Sequence, residues 1–128
     1  MPRYALTFIR NLALVRAAVC RAQAVRVVKL IVDTGAAMTL LSWEILEGVG
    51  YDPAGTKERV RLVTLSGVEL APRITVERFH CLGAEVRDFP VVCHDLPFAP
   101  YADGLLGMDF LRRFDVAIWP RRGIIETL

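Results

Sequence analysis

The residues best suited to chemistry lie in the segment 30–36, where an apolar run ends in Asp33, Thr34 and Gly35. A glycine after a carboxylate and a small hydroxyl residue lets the backbone turn sharply and approach another group closely. A carboxylate with apolar flanks at such a turn is expected to be partly desolvated, which suits acid–base chemistry. The three-residue pattern is weak by itself, because a strand-ending aspartate often only hydrogen-bonds its own turn.

A second segment with a glycine lies much later in the chain, where Leu105 and Leu106 precede Gly107. A glycine behind two apolar residues permits close packing of the backbone, which an ordinary buried strand also uses. Neither segment assigns a function when it is taken alone, because each has this structural explanation. Their order along the chain and the spacing between them carry the argument.

The elements that must position both segments are predicted to be mainly strands, since β-branched and apolar runs alternate with Gly, Pro and Ser. The predicted strands cover residues 4–9, 25–32, 58–64, 68–79, 84–93, 114–119 and 124–128. A short helix is expected to start after Ser42, which can cap it, and to end at Gly48 or Gly50. A second helix is expected at 108–113, a loop at 97–103 and a turn at 120–123. These elements describe a mainly β domain.

Residues 11–24 have a different pattern. Leu12, Val15, Val19 and Ala22 recur at helical spacing, and the segment contains neither Gly nor Pro. The sequence therefore predicts a helix or an irregular excursion between the first two strands.

The composition indicates one folded domain. The chain has 128 residues, of which 54% are hydrophobic and 23% charged, and its formal net charge is +2. The apolar content excludes a disordered chain, and the charge is too mild to indicate a nucleic-acid partner. A domain of this length buries only part of its chain surface when it folds alone. The apolar surplus therefore indicates a second buried surface, such as a subunit interface.

Targeting signals and metal ligands are not evident. Arginines interrupt the N-terminal apolar runs before any reaches the length of a signal-peptide core or a membrane span. The chain has three cysteines, Cys20, Cys81 and Cys93, which are too few and odd in number for a disulfide framework. Cys93 beside His94 matches no familiar metal site. We therefore expect reduced thiols, no cofactor or metal, no membrane attachment and a cytoplasmic location.

The sequence Val-Asp-Thr-Gly-Ala at 32–36, followed by Leu-Leu-Gly at 105–107, resembles the motifs of the retropepsin-like aspartic proteases. These are single-domain relatives of pepsin found in retroviruses and, in related forms, in bacteria. The resemblance covers residues 25–128. It implies a mainly β acid-protease lobe with a flap hairpin and a short C-terminal helix, active as a C2 homodimer. The chain 1–128 is then one such domain, with residues 11–24 as an insertion or extension.

The resemblance also implies a mechanism. Aspartic proteases, the standard example of this effect, hold two carboxylates so close that both cannot ionise, and the pair shares one proton. The ionised partner takes a proton from water, and the protonated partner donates to the carbonyl oxygen of the substrate. Because this chain has a single Asp-Thr-Gly, Asp33 is expected to meet its copy across a two-fold axis.

The neighbouring residues take their roles from the same resemblance. Thr34 corresponds to a threonine whose hydroxyl hydrogen-bonds across the dimer, and Gly35 to a glycine whose backbone contacts substrate; with Asp33 they form the catalytic set. Ala36 stands where pepsins carry a serine that donates to the catalytic carboxylate. We therefore expect an activity optimum less acidic than that of pepsin.

The predicted hairpin tip at 64–67 occupies the place of the flap, which opens for substrate and closes over it. The residues expected to bind substrate are Ala36, Val63, Leu65, Ser66, Gly67 and Leu105. The residues expected to support the catalytic loop are Thr39, Leu106, Gly107 and Asp109.

The chain departs from the retroviral pattern just after the catalytic motif. Ala37 and Met38 stand where acidic residues are usual, and Met108 stands where an arginine is usual. The ion pair made by those residues is therefore absent, and the dimer must be held otherwise. Asp109 is expected instead to accept a hydrogen bond from Thr39.

Two functions remain open at this stage. The first is an aspartic endopeptidase that hydrolyses a polypeptide substrate. The alternative is a catalytically silent dimer of the same fold that binds extended peptides or serves as an interaction module, since a fold does not fix a function. Phosphoryl transfer through Asp33 is disfavoured, because the sequence has neither a further acidic cluster for Mg²⁺ nor a phosphate-binding glycine loop.

Overall fold

Strands make up most of the chain in the computed structural model, which describes residues 1–64, 66–97 and 101–128. The strands are β1 (Arg3–Ala5), β2 (Thr7–Ile9), β3 (Leu12–Arg21), β4 (Ala24–Val32), β5 (Leu40–Leu41), β6 (Arg59–Thr64), β7 (Gly67–Cys81), β8 (Ala84–Cys93), β9 (Gly104–Leu106), β10 (Val116–Trp119) and β11 (Ile124–Thr127). The α-helices are α1 (Trp43–Val49) and α2 (Met108–Leu111), and 3-10 turns span Pro53–Gly55 and Pro120–Arg122.

The strands form two sheets. The larger sheet has the order β2-β3-β4-β9-β5-β8-β7-β6, and the smaller has the order β1-β11-β10. Within the larger sheet, β9 runs parallel to β4 and antiparallel to β5. The strand β9 therefore separates the two strands that flank the loop 33–39. The main core contains the contacting rings of Phe79, Phe89 and Phe110, whose centroids are 4.9 to 6.2 Å apart.

Residues 11–24 form a strand and two turns, so the expected helix or irregular excursion is wrong. The strand β3 pairs with β2, β4 and β7, which leaves no free edge along its second half. A tight turn at Arg10 and Asn11, with φ of 50° and 65°, starts it, and Ala22, with φ of 51°, follows it. Both faces of β3 are largely buried, so its sequence lacks the alternation of a half-exposed strand and imitates a helical pattern.

The first predicted strand, 4–9, is divided into two. The strand β1 pairs with β11 in the small sheet, whereas β2 pairs with β3 in the large sheet. Leu6 lies between them, and its N–H donates to the Gly123 carbonyl oxygen at 2.8 Å. A single apolar run thus serves two sheets, which its sequence does not indicate.

The local signals for the first helix and the hairpin are confirmed. The Ser42 hydroxyl accepts a hydrogen bond from the Ile45 N–H at 3.3 Å, and Gly50 ends α1 with φ of 113°. The strands β6 and β7 pair from Arg59 and Pro72 up to Thr64 and Gly67. The helix α2 covers 108–111 rather than 108–113, because it gives way to a turn.

None of the helices that the structure describes is both long enough and apolar enough to cross a membrane.

Candidate active site

Asp33 lies at the point where β4 ends and the loop 33–39 begins. Its N–H donates to the Leu106 carbonyl oxygen at 3.0 Å, which extends the β4–β9 pairing by one bond. Its carboxylate Oδ1 accepts from the Gly35 N–H at 2.9 Å, and its carbonyl oxygen accepts from the Ala36 N–H at 3.2 Å. The turn that follows the apolar strand therefore holds the carboxylate in place.

A hydrogen-bonded network behind this loop joins it to α2. The Thr39 side chain is fully buried, and its hydroxyl donates to Asp109 Oδ1 at 2.8 Å. The Thr39 N–H donates to Asp109 Oδ2 at 3.0 Å, and the Gly107 N–H donates to the Thr39 hydroxyl oxygen at 3.1 Å. Asp109 Oδ1 also accepts from the Phe110 N–H at 2.9 Å. The expected Thr39–Asp109 hydrogen bond is therefore present and part of a larger network.

Gly107 allows the loop and α2 to approach closely. A Cβ atom at this position would lie 2.7 Å from the Met38 carbonyl carbon and 3.0 Å from the Ala36 carbonyl oxygen. Because both neighbours are backbone, a side chain here would displace the loop that carries Asp33. The Met108 N–H donates to the Ala36 carbonyl oxygen at 2.8 Å, which depends on the same approach.

The front of the loop is open in the single chain. Asp33 and Ala36 are half-buried, and Thr34 and Gly35 are exposed. Within the described part of the chain, the Thr34 hydroxyl forms no hydrogen bond. The catalytic residues expected from the sequence thus lie together at a surface, supported from behind.

One face of the large sheet continues this surface. Ile31, Leu105 and Leu40 are aligned across β4, β9 and β5, and opposed residues of paired strands project from the same face. Their sequence neighbours Leu30, Leu41 and Leu106 lie in the main core, on the other face. Asp33 follows Ile31 by two residues, so the alternation of the strand brings its carboxylate to this same side. We call the face that carries Ile31, Leu105 and Leu40 the cleft face.

The β6–β7 hairpin turns one of its faces toward the body of the protein. Leu62 and Glu69 are directly opposed in it, and Glu69 Oε2 lies 3.8 Å from His94 Nδ1, just beyond β8. Val63 and Val68 project from the opposite hairpin face and are 85% and 55% exposed. Leu62 therefore lies on the body side of the hairpin, and the assignment of Val63 to substrate binding stays a prediction.

The remaining residues expected to bind substrate lie in the hairpin tip and on the cleft face. Ser66 and Gly67 are exposed at the tip, whereas Leu65 lies outside the described residues. Leu105 is half-buried on the cleft face beside Ile31. Leu106 lies in the main core, directly behind the catalytic loop. The structure thus brings Leu105 and Ala36 to the side of Asp33.

The cysteines lie apart from this surface and are buried and free. Burial raises the pKa of the Cys81 thiol to about 12, and burial followed by the nearby Asp95 carboxylate raises the pKa of the Cys93 thiol to about 12. Thiolate, the form that attacks or binds metal, is therefore scarce at neutral pH. Over residues 1–64, 66–97 and 101–128, no three His, Cys, Asp or Glu side chains group to hold a metal ion.

Sequence reasoning missed three residues that share this side of the protein with Asp33. Leu62, Arg73 and His94 lie on the body side of the hairpin or along the cleft face. Counting in steps of two back from the hairpin turn identifies Leu62, because strand residues alternate between faces. Arg73 and His94 have no such local signal, since their position depends on how β7 and β8 pair with the rest of the sheet.

Comparisons with known proteins agree with this fold. The family model described as "gag-polyprotein putative aspartyl protease" matches residues 22–113. The crystal structure of a retropepsin-like aspartic protease from Rickettsia conorii superposes with a TM-score of 0.74 at 23% sequence identity, over 98% of this chain and 87% of that chain. The crystal structure of the retroviral protease-like domain of Ddi1 from Leishmania major superposes with a TM-score of 0.59 at 20% sequence identity, over 91% of this chain and 87% of that chain. No curated protein matches the chain. The predicted retropepsin-like, mainly β fold is confirmed.

Proposed function

Because the chain belongs to the family described as "gag-polyprotein putative aspartyl protease", we propose that it is an aspartic endopeptidase built from two copies of Asp33. The observation that carries the proposal is the position of Asp33. It follows the apolar, buried end of β4, lies at an open surface beside apolar side chains, and is fixed by hydrogen bonds to the backbone of Leu106 and Gly35. A carboxylate held in this way is suited to act on a bound water.

The proposed reaction needs two carboxylates with different protonation states. Two such groups a few ångströms apart share one proton, since both cannot be charged at once. The ionised carboxylate removes a proton from a water, whose oxygen attacks the peptide carbonyl carbon. The protonated carboxylate donates its proton to the carbonyl oxygen. The tetrahedral intermediate then collapses and the C–N bond breaks. The nitrogen takes a proton from one carboxyl group, and one of the two hydroxyls of the intermediate returns its proton to the other carboxylate, so the dyad again holds one proton.

A homodimer follows from stoichiometry. The chain contributes one Asp-Thr-Gly loop, so the second carboxylate comes from Asp33 of the partner subunit. The exposed Thr34 and Gly35 support this arrangement, because they give the loop a surface that a second copy can cover. In the proposal the Thr34 hydroxyl hydrogen-bonds to the partner loop and fixes the distance between the two carboxylates.

The hairpin is proposed to be the flap. Its second arm, residues 67–72 of β7, pairs with β6 and precedes the part of β7 that pairs with β8, and Glu69 lies 3.8 Å from His94 on the side that carries the cleft face. A hairpin over an extended peptide excludes water and offers backbone groups to the substrate, in the manner of an added strand. The buried, free cysteines support a reducing location such as the cytoplasm.

Cleavage of a denatured protein mixture between about pH 4 and pH 7 tests the function, because the shared proton must be retained for activity. We expect cleavage that EDTA leaves unchanged and whose specific activity falls on dilution, since the dimer dissociates. Specific activity that stays constant down to concentrations at which the protein is monomeric by light scattering would contradict the dimeric site. Binding of the denatured chains without cleavage would favour the silent peptide-binding dimer.

A further inference from the structure

Arg73 carries a buried donor that the protein itself does not satisfy. The residue is half-buried on β7, and its Nε atom is buried without a hydrogen-bond partner. Across the described ranges no carboxylate lies within 4.0 Å of its guanidinium. Buried polar groups are normally hydrogen-bonded, and one left unpaired lowers stability. Such a donor indicates a ligand that the single chain lacks.

The register of the sheet places Arg73 on the cleft face. Arg73 is opposed to Val92 on β8, Val92 is opposed to Leu40 on β5, and Leu40 is opposed to Leu105 on β9. Since opposed residues of paired strands project from one face, the row of Leu105 and Leu40 continues through Val92 to Arg73. The row of side chains that starts beside Asp33 and passes through the buried Val92 therefore ends in a guanidinium.

Glu58 and Glu69, the acidic residues beside Arg73 in the hairpin, do not neutralise this guanidinium. Glu58 directly precedes β6, and the Arg73 N–H donates to its carbonyl oxygen at 3.1 Å, but the Glu58 side chain is exposed and forms no ion pair with Arg73. Glu69, four residues along β7 on the same side, faces His94 at 3.8 Å. Arg73 therefore leaves a positive charge at the far end of the cleft face.

We propose that Arg73 is a specificity-determining residue of this site and binds a carboxylate side chain of the polypeptide substrate. The inference rests on the proposed function, because it assumes that an extended chain lies along the cleft face. An arginine fork matches a carboxylate with two parallel hydrogen bonds, and the half-buried setting strengthens them. Neighbouring strands are about 4.8 Å apart, so the acidic residue is a few positions from the scissile bond rather than next to it.

Matched peptides that differ only in Glu or Gln test this assignment. Labelled peptides with a single Glu or Gln moved through each position are titrated into the full chain carrying Asp33→Asn, with binding followed by fluorescence anisotropy at about pH 6, where glutamate is ionised. We expect the Glu peptide to bind about tenfold more tightly than its Gln counterpart at one position, which is the usual scale of a charged hydrogen bond. No binding of either peptide, or equal binding throughout, overturns the proposal.

Three variants separate the effect of Arg73 from the effect of charge in general. Arg73→Gln is expected to abolish the preference for Glu, and Arg73→Glu to reverse it toward a lysine peptide. Arg61→Gln makes the same change in charge on the opposite, exposed face of the hairpin and is expected to leave the preference intact. A preference that survives in Arg73→Gln, or that Arg61→Gln removes equally, overturns the assignment.

Cleavage of the same peptides by the unmodified chain distinguishes a failure of the proposed function from a failure of the role of Arg73. Selective binding of the Glu peptide without cleavage would contradict the peptidase function and support the carboxylate site. Cleavage without selectivity for Glu would support the peptidase function and contradict the role of Arg73.

Discussion

Asp33→Asn is expected to lower kcat/KM for peptide hydrolysis by at least about a thousandfold while the protein remains folded. The amide cannot take a proton from water or hold the shared proton, so both steps that need the carboxylate fail. The asparagine side chain has the same shape and can still accept the hydrogen bond from the Gly35 N–H, which Asp33 Oδ1 accepts at 2.9 Å. Initial rates on a fluorogenic peptide, with thermal unfolding measured in parallel, give both quantities.

Asp88→Asn is the matched control for this substitution. Asp88 is exposed in β8 and has φ of 51°, a conformation that asparagine tolerates well. We expect unchanged kinetics and an unchanged unfolding temperature for this variant. If Asp33→Asn keeps the activity of the Asp88→Asn control, the carboxylate of Asp33 has no role in the chemistry.

Thr39→Val is expected to lower the free energy of unfolding by roughly 2–4 kcal/mol, because buried polar groups lose their partners. Valine matches threonine in shape but neither donates to Asp109 Oδ1 nor accepts from the Gly107 N–H, which the hydroxyl does at 2.8 and 3.1 Å. The Gly107 N–H is then left buried without that acceptor. Urea unfolding followed by tryptophan fluorescence measures the difference.

Thr39→Ser separates the hydroxyl from the methyl group. Serine keeps both hydrogen bonds and loses only one buried methyl, so a decrease of about 1 kcal/mol is expected. Equal unfolding free energies for Thr39→Val and Thr39→Ser would mean that the network behind the catalytic loop contributes nothing to stability. A larger loss in Thr39→Val also predicts weaker activity, since the same bonds fix the loop that carries Asp33.

The features that the sequence predicted correctly are those with local physical causes. Ser42 and Gly50 limit α1 through a side-chain cap and a positive φ, and the hairpin follows from two strands around a short turn. The Asp33 loop and the Gly107 element were paired through their resemblance to the two motifs of a known family, and the structure joins them through the hydrogen bond from the Met108 N–H to the Ala36 carbonyl oxygen.

The features that sequence reasoning missed depend on partners far away in the chain. The strand β3 is covered on both faces and paired with three other strands, so its periodicity carried no strand signal. Arg73 reaches the cleft face only through the successive registers of β7, β8 and β5. Leu62 rather than Val63 faces the body because Leu62 is paired with Glu69. A shift of the β6–β7 register by one residue would turn Val63 to that face instead.

The most direct test of the shared dyad is to mix unmodified subunits with Asp33→Asn subunits at constant total concentration and allow them to exchange. A site that needs Asp33 from both subunits makes activity follow the square of the unmodified fraction, so an equal mixture retains about a quarter of the full rate. If each subunit carried its own complete site, the mixture would retain about half. The proposed mechanism predicts the quadratic curve, and a linear one would contradict it.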